Sequence, residues 1–180
     1  MISFKANFIT ETSVKRLRNE KEYATVPAYL VELDISSRSN LKALQKLSKS
    51  WENGDLYAAD VCLRFQANQE KPENNYGERF FVLTRQNRSW EKLDYRKILG
   101  VAELYEPSDT CTEIEFLQTN PKYLREINPK MKNIGKSIVE AFIEMVKSKE
   151  FSLFTTPTAK MFYEKLGFVN VESNLMRLKR

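Results

Sequence analysis

The chain contains no histidine and only two cysteines, Cys62 and Cys111, far apart in sequence. Without an imidazole there is no Ser-His or Cys-His activation of a nucleophile, and without a C-x-x-C spacing the common zinc and redox arrangements drop out, so no metal is expected. Proton transfer is left to carboxylates, tyrosine, lysine, cysteine or water. Neither cysteine has a basic residue directly beside it, so both read as small buried side chains rather than nucleophiles. Also missing is any apolar run long enough to span a bilayer, and the opening Met1-Ile2-Ser3-Phe4-Lys5 lacks the apolar core of a signal peptide. No membrane partner and a cytoplasmic location are the expectation. No internal repeat, low-complexity tract or linker breaks the sequence, and a length of 180 residues leads to one domain over 1–180.

What is present is ordinary globular material: 42% hydrophobic and 29% charged residues, enough to bury a core. The formal charge of +5 favours polyanionic partners such as phosphates or nucleic acid. The basic residues are scattered, however, apart from Lys15, Arg16 and Arg18 near the start and Arg177, Lys179 and Arg180 at the end. Both groups read as solvated surface, which weighs against nucleic acid.

Along the chain, Tyr29 to Asp34 alternates in the manner of a strand. From Ser39, Leu41, Leu44, Leu47 and Trp51 recur at helical spacing until Asn53-Gly54 closes an amphipathic helix. Residues 55–65 suggest a second, shorter helix, and Gln69 to Gly77 a polar loop. Arg79 to Thr84 and Ile98 to Tyr105 are apolar, β-branched runs joined by polar residues 86–96, as adjacent antiparallel strands would be. Thr112 to Thr119 supplies the next strand. Pro121 and Pro129 rule out a continuous helix over 121–133. Ile138, Ala141, Phe142 and Met145, widened by Val139, Ile143 and Val146, then mark a helix largely buried against a sheet. Phe151 to Thr155 reads as a strand, Thr158 to Leu166 as a short helix ended by Gly167, and Phe168 onward as a strand. Strand, two helices, three strands, helix, strand, helix, strand is an α+β order, since three strands follow one another in the middle.

Chemistry gathers at Lys132-Asn133-Ile134-Gly135-Lys136-Ser137. A glycine in a first helical turn lets a ligand come close to the backbone, and the unpaired N–H groups of that turn, with the helix dipole, favour an anion such as phosphate. Alone, such a turn reads first as a helix start with solvated lysines. Downstream stands Ala159-Lys160-Met161-Phe162-Tyr163-Glu164-Lys165-Leu166-Gly167-Phe168. In this order and separation the two segments resemble the GCN5-related N-acetyltransferases, whose pyrophosphate loop reads Q/R-x-x-G-x-G/A and whose closing signature reads A-x-x-x-Y-x-K-x-G-F. The resemblance covers roughly residues 79–171. Lys132 and Ser137 replace the usual outer residues of the loop, and Thr156 stands where the family often has asparagine.

The resemblance implies a three-layer α/β/α sandwich with a mixed, mostly antiparallel sheet, the acyl-CoA N-acyltransferase fold. It implies acetyl-CoA as co-substrate, with Asn133, Ile134, Gly135, Lys136 and Ser137 at the pyrophosphate. Leu117 and Thr119, on a bulged strand, would pair with the pantetheine arm, and Thr156 joins the cofactor-binding set. Tyr163 would protonate the leaving thiolate as a phenol near its normal pKa. Glu113 matches the glutamate that one branch of the family uses as general base, with Glu103 a weaker rival. The reaction would be direct transfer of acetyl to a primary amine of a small molecule or a protein. The first two helices and the loops 69–77 and 86–96 would wall the acceptor site. An inactive module that keeps the fold and binds coenzyme A or a protein is the alternative, and an RNA-linked acetyltransferase would have to show strong salt dependence. The sequence leaves the oligomeric state open, a homodimer included.

Overall fold

In Glu78–Thr84 (β3) successive side chains turn to opposite faces, and both faces find cover. Phe81 and Leu83 enter one core cluster, Phe80 and Val82 the other. Burying each of these side chains is worth about 1.5–3 kcal/mol, so such a strand belongs at the centre of a sheet with layers on both sides. The computed structural model bears this out and describes residues 7–19, 22–51, 57–124 and 129–180.

The other elements are β1 (Asn7–Leu17), β2 (Tyr23–Glu32), α1 (Arg38–Ser50), α2 (Tyr57–Glu70), β4 (Ile98–Ser108), β5 (Cys111–Thr119), β6 (Met131–Lys132), α3 (Ile134–Met145), β7 (Glu150–Phe154), α4 (Lys160–Glu164), β8 (Val169–Glu172) and β9 (Leu175–Lys179). Among the described residues the strands form one sheet in the order β6-β1-β2-β3-β4-β5-β7-β9-β8. Every pairing is antiparallel except β5 with β7. Helices α1 and α2 cover one face through Leu44, Leu47, Val61 and Phe65, the last meeting Phe80 edge-on at 5.2 Å. Helices α3 and α4 cover the other, with Phe142 against Phe81 at 4.9 Å. This is the three-layer α+β sandwich with a mixed, mostly antiparallel sheet.

Several elements differ from the sequence reading. Among the described side chains of β1 only Val14 is fully buried, and its Thr, Glu and Lys residues hide a strand that nevertheless pairs with β2 along its length. The second helix is not the shorter one: α2 has 14 residues against 13 in α1. It runs on to Glu70 because Gln66 bonds Glu70 at 2.8 Å and Gln69 donates to the Ile35 carbonyl at 2.6 Å. The final strand is a hairpin, β8 and β9, turning at Ser173, which adopts φ 42°. The helix expected over 158–166 narrows to Lys160–Glu164, and the connection 121–133 includes a 3-10 turn at Pro121–Tyr123 and the two-residue β6. Asn53-Gly54, expected to end the first helix, lies outside the described residues; α1 is closed by the Trp51 N–H on the Leu47 carbonyl. No helix among the described residues is long and apolar enough to cross a membrane.

Candidate active site

The parallel pair is where the sheet opens. β5 and β7 pair only through Cys111–Glu150, Thr112–Phe151 and Glu113–Ser152, and their ladder ends there. On its other side β5 stays paired with β4 to Thr119, with one irregularity: Glu103 faces Phe116 while Leu104 faces Ile114, so Glu115 is an extra residue, a bulge. A bulge bends its strand, and this one follows directly on the last rung that joins β5 to β7. The cleft between them measures about 730 Å³. Leu117 and Thr119 of β5 line one side and Thr156 and Tyr163 the other.

The start of α3 forms one end of the cleft. Asn133 takes a left-handed conformation, φ 65°, and its side chain does not cap the helix. The first intrahelical bond is the Ser137 N–H on the Asn133 carbonyl at 2.9 Å, which leaves the N–H groups of Ile134, Gly135 and Lys136 ahead of the ladder. All three residues, with Asn133, line the cleft. Gly135 leaves room at a close approach: a Cβ there would lie 3.2 Å from Phe162 Cζ and 3.7 Å from Thr119 Oγ1. Lys132 lies with its ammonium 4.1 Å from the Tyr23 ring centre, and Lys136 is 3.6 Å from Glu140. Donors without a partner among the described residues, at the positive end of a helix dipole with lysines alongside, suit a pyrophosphate.

Ser137 is placed differently from the rest of its segment. It is buried, does not line the cleft, and sets its hydroxyl 2.6 Å from the Ser13 carbonyl and 2.8 Å from that of Asn133. Its side chain ties α3 to β1, and its N–H is spent inside the helix.

Tyr163 is 8% exposed and sits between Phe162 at 4.8 Å and Phe168 at 5.7 Å, both edge-on. Burial, and then the neighbouring Tyr57, push its phenol up to about 12. The expectation of a phenol near its normal pKa is therefore corrected. Tyr163 keeps its proton at neutral pH, and full transfer to a thiolate whose conjugate thiol titrates near 8.5 runs uphill.

The carboxylates lie on the α2 side of β4 and β5. Glu113 is half-buried at the last rung of the β5–β7 ladder and does not line the cleft. Burial, and then Glu115, push its carboxyl up. Glu103 is fully buried with Oε1 2.7 Å from an Arg64 nitrogen, and burial outweighs that ion pair, pushing it to about 7.

Tyr57 and Gln118 also line the cleft, and no motif in the sequence signals either. Gln118 Oε1 accepts the Ala58 N–H at 2.6 Å, pinning the first turn of α2 to β5. Of the segments expected to wall the acceptor site, α2 reaches this cleft through Tyr57. Helix α1 and the loops 69–77 and 86–96 contribute nothing to the cleft.

The chain has the fold of the GCN5-related N-acetyltransferases. A GNAT-family acetyltransferase from Staphylococcus aureus Mu50 superposes with a TM-score of 0.54 at 17% identity, over 84% of this chain and 98% of that one. Ard1 from Thermoplasma volcanium gives 0.53 at 18%, over 85% and 96%. The Campylobacter jejuni N-acetyltransferase PseH, in complex with acetyl coenzyme A, gives 0.52 at 14%, over 84% and 99%. No family model and no curated protein sequence matches the chain. Acetyltransferases of this fold are thus the structures it is similar to, at identities where the likeness lies in the fold.

Proposed function

We propose that the protein is an N-acetyltransferase moving acetyl from acetyl-coenzyme A to a primary amine, of a small molecule or a protein, by direct transfer in a ternary complex. The observation that carries this reading is the parting of β5 from β7 around a cleft with unpaired helix N–H groups at one end and Tyr163 in its wall. A fold shared with PseH, whose structure holds acetyl coenzyme A, supports the choice of ligand.

Bound in this cleft, acetyl-coenzyme A supplies a thioester whose carbonyl carbon the amine attacks as the carbon–sulfur bond breaks. The N–H groups of Ile134, Gly135 and Lys136 hold the pyrophosphate, with Thr156 near the mouth. Leu117 and Thr119 offer strand N–H and C=O groups, freed where β5 leaves β7, to the pantetheine arm. Tyr163 donates a hydrogen bond to the departing sulfur, and with so high a pKa it stabilises the thiolate while solvent completes protonation. The amine must shed a proton, and Glu113, made more basic by burial, takes it through water.

Titration calorimetry with acetyl-coenzyme A, followed by thiol release with a panel of primary amines, tests this. The expected result is micromolar binding and turnover that falls about a hundredfold in kcat in Tyr163→Phe with cofactor affinity kept. Absence of binding would overturn the reading. Binding without transfer to any amine would favour the inactive module, for which the Ser137 side chain turned away from the cleft and Glu113 set outside it are the supporting observations.

A further inference from the structure

The turn that offers its N–H groups to an anion is held from elsewhere in the chain. Asn133 enters α3 in the left-handed region, φ 65°, and its side chain does not cap the helix. Outside glycine that conformation costs energy and is kept where the surroundings fix it. Those surroundings are the β1–β2 hairpin. Leu17 donates its N–H to the Lys130 carbonyl at 3.0 Å, and Lys15 and Arg16 stand opposite Lys132 and Met131 in the β1–β6 ladder.

These are backbone contacts that many sequences could make, whereas Tyr23 contributes a side chain. It opens β2, opposite Leu17. Its hydroxyl donates to the Pro129 carbonyl at 2.9 Å across 106 residues of chain, and the Lys132 ammonium lies 4.1 Å from its ring centre. Pro129 and Lys132 line the cleft, while Tyr23 does not. One half-buried side chain therefore grips both ends of residues 129–132, the stretch that leads into Asn133.

Lys132 needs such a partner. It faces Lys15 directly across the ladder, and like charges so placed repel. Lys15 is drawn aside to Thr25 Oγ1 at 2.8 Å, and Lys132 to the face of the Tyr23 ring, which attracts an ammonium. A lysine settled on a ring has less rotamer freedom to lose when an anion arrives than one free in solvent.

We propose that Tyr23 is a positioning residue for the cofactor: without touching it, the side chain sets residues 129–133 and the Lys132 ammonium in place at the pyrophosphate end of the cleft. The inference rests on the acetyltransferase reading and makes the β1–β2 hairpin part of the cofactor site.

The test uses Tyr23→Phe, which keeps the ring and loses the hydroxyl, Tyr23→Leu, which loses both, and Lys132→Met, alone and combined with Tyr23→Leu. Each is titrated calorimetrically with acetyl-coenzyme A and with S-acetylpantetheine, which has the thioester and the arm but no pyrophosphate. Acetyl-coenzyme A is expected to weaken about threefold in Tyr23→Phe and about tenfold in Tyr23→Leu, with S-acetylpantetheine unchanged in both. Lys132→Met should cost less affinity on the Tyr23→Leu background than alone, as it must if Tyr23 acts through Lys132. An equal loss for the two ligands would mean general damage to the fold and overturns the proposal. So does a Tyr23→Leu protein that binds acetyl-coenzyme A within twofold of the wild type, or full additivity with Lys132→Met. Should Tyr23→Leu not fold, Tyr23→Phe decides, and unchanged affinity there overturns the proposal. If the wild type binds inorganic pyrophosphate but not acetyl-coenzyme A, and Tyr23→Leu weakens the pyrophosphate, the acetyltransferase reading falls and the role of Tyr23 at the anion site stands.

Discussion

The two sides of the cleft are made of different materials. At the α3 side the donors are backbone N–H groups, fixed by where a helix starts, with lysines added at the margin. At the α2 side the groups are side chains, Tyr57 and Gln118, brought to the cleft where the first turn of α2 is pinned to β5. Backbone donors belong to the fold and tolerate changes of side chain. Side-chain sites depend on each residue separately. The α3 side therefore suits a constant partner, and the α2 side a partner particular to this protein.

The contrast can be broken most severely at Gly135. A glutamate there sets a Cβ 3.2 Å from Phe162 Cζ and a negative charge among the donors meant for an anion. Gly135→Glu is expected to weaken acetyl-coenzyme A at least a hundredfold by calorimetry. An affinity within a few fold of the wild type would mean that the cofactor does not lie against the start of α3.

The next largest effect is at Glu103, where burial raises the folded-state pKa from 4.5 to about 7. Between those values the folded protein binds more protons than the unfolded chain, so stability falls as pH rises through that window and is lowest above it. The shift corresponds to about 3 kcal/mol at most. Glu103→Gln removes this titration, so its denaturant stability should stay flat between pH 5 and pH 8 where the wild type declines. A wild type equally stable at both would mean that Arg64 compensates Glu103 fully.

Legibility in the sequence follows the same division. The α3 side could be read because a helix N-terminus with a close-approach glycine leaves a local pattern, and the Ala159 to Phe168 signature fixed its distance from Tyr163. The central strands could be read because β3 and β4 are buried on both faces and have little freedom in residue type. β1 escaped because it is a half-exposed strand whose order comes from pairing with β2 rather than from its own hydrophobicity. Tyr57, Gln118 and the Arg64–Glu103 pair escaped for a related reason: they meet their partners across 39 to 60 residues of chain, and only the sheet register brings them together. The raised pKa of Tyr163 is likewise a product of packing, by Phe162 and Phe168 in sequence neighbourhood and by Tyr57 from far away.

Ser137 tests the smallest part of the contrast, whether the α3 side relies on any side chain of its own turn. Its position in the loop pattern points to the ligand, whereas its hydroxyl is engaged with the carbonyls of Ser13 and Asn133. If the backbone alone makes the anion site, Ser137→Ala should cost about 1 kcal/mol of stability through the lost hydrogen bond and leave the Kd for acetyl-coenzyme A within about twofold. Alanine keeps the N–H on the Asn133 carbonyl and favours the helix, so the first turn is preserved. A loss of cofactor affinity beyond that, at unchanged stability, would show the hydroxyl turning to the ligand when it binds and would make the α3 side, too, a site of side chains.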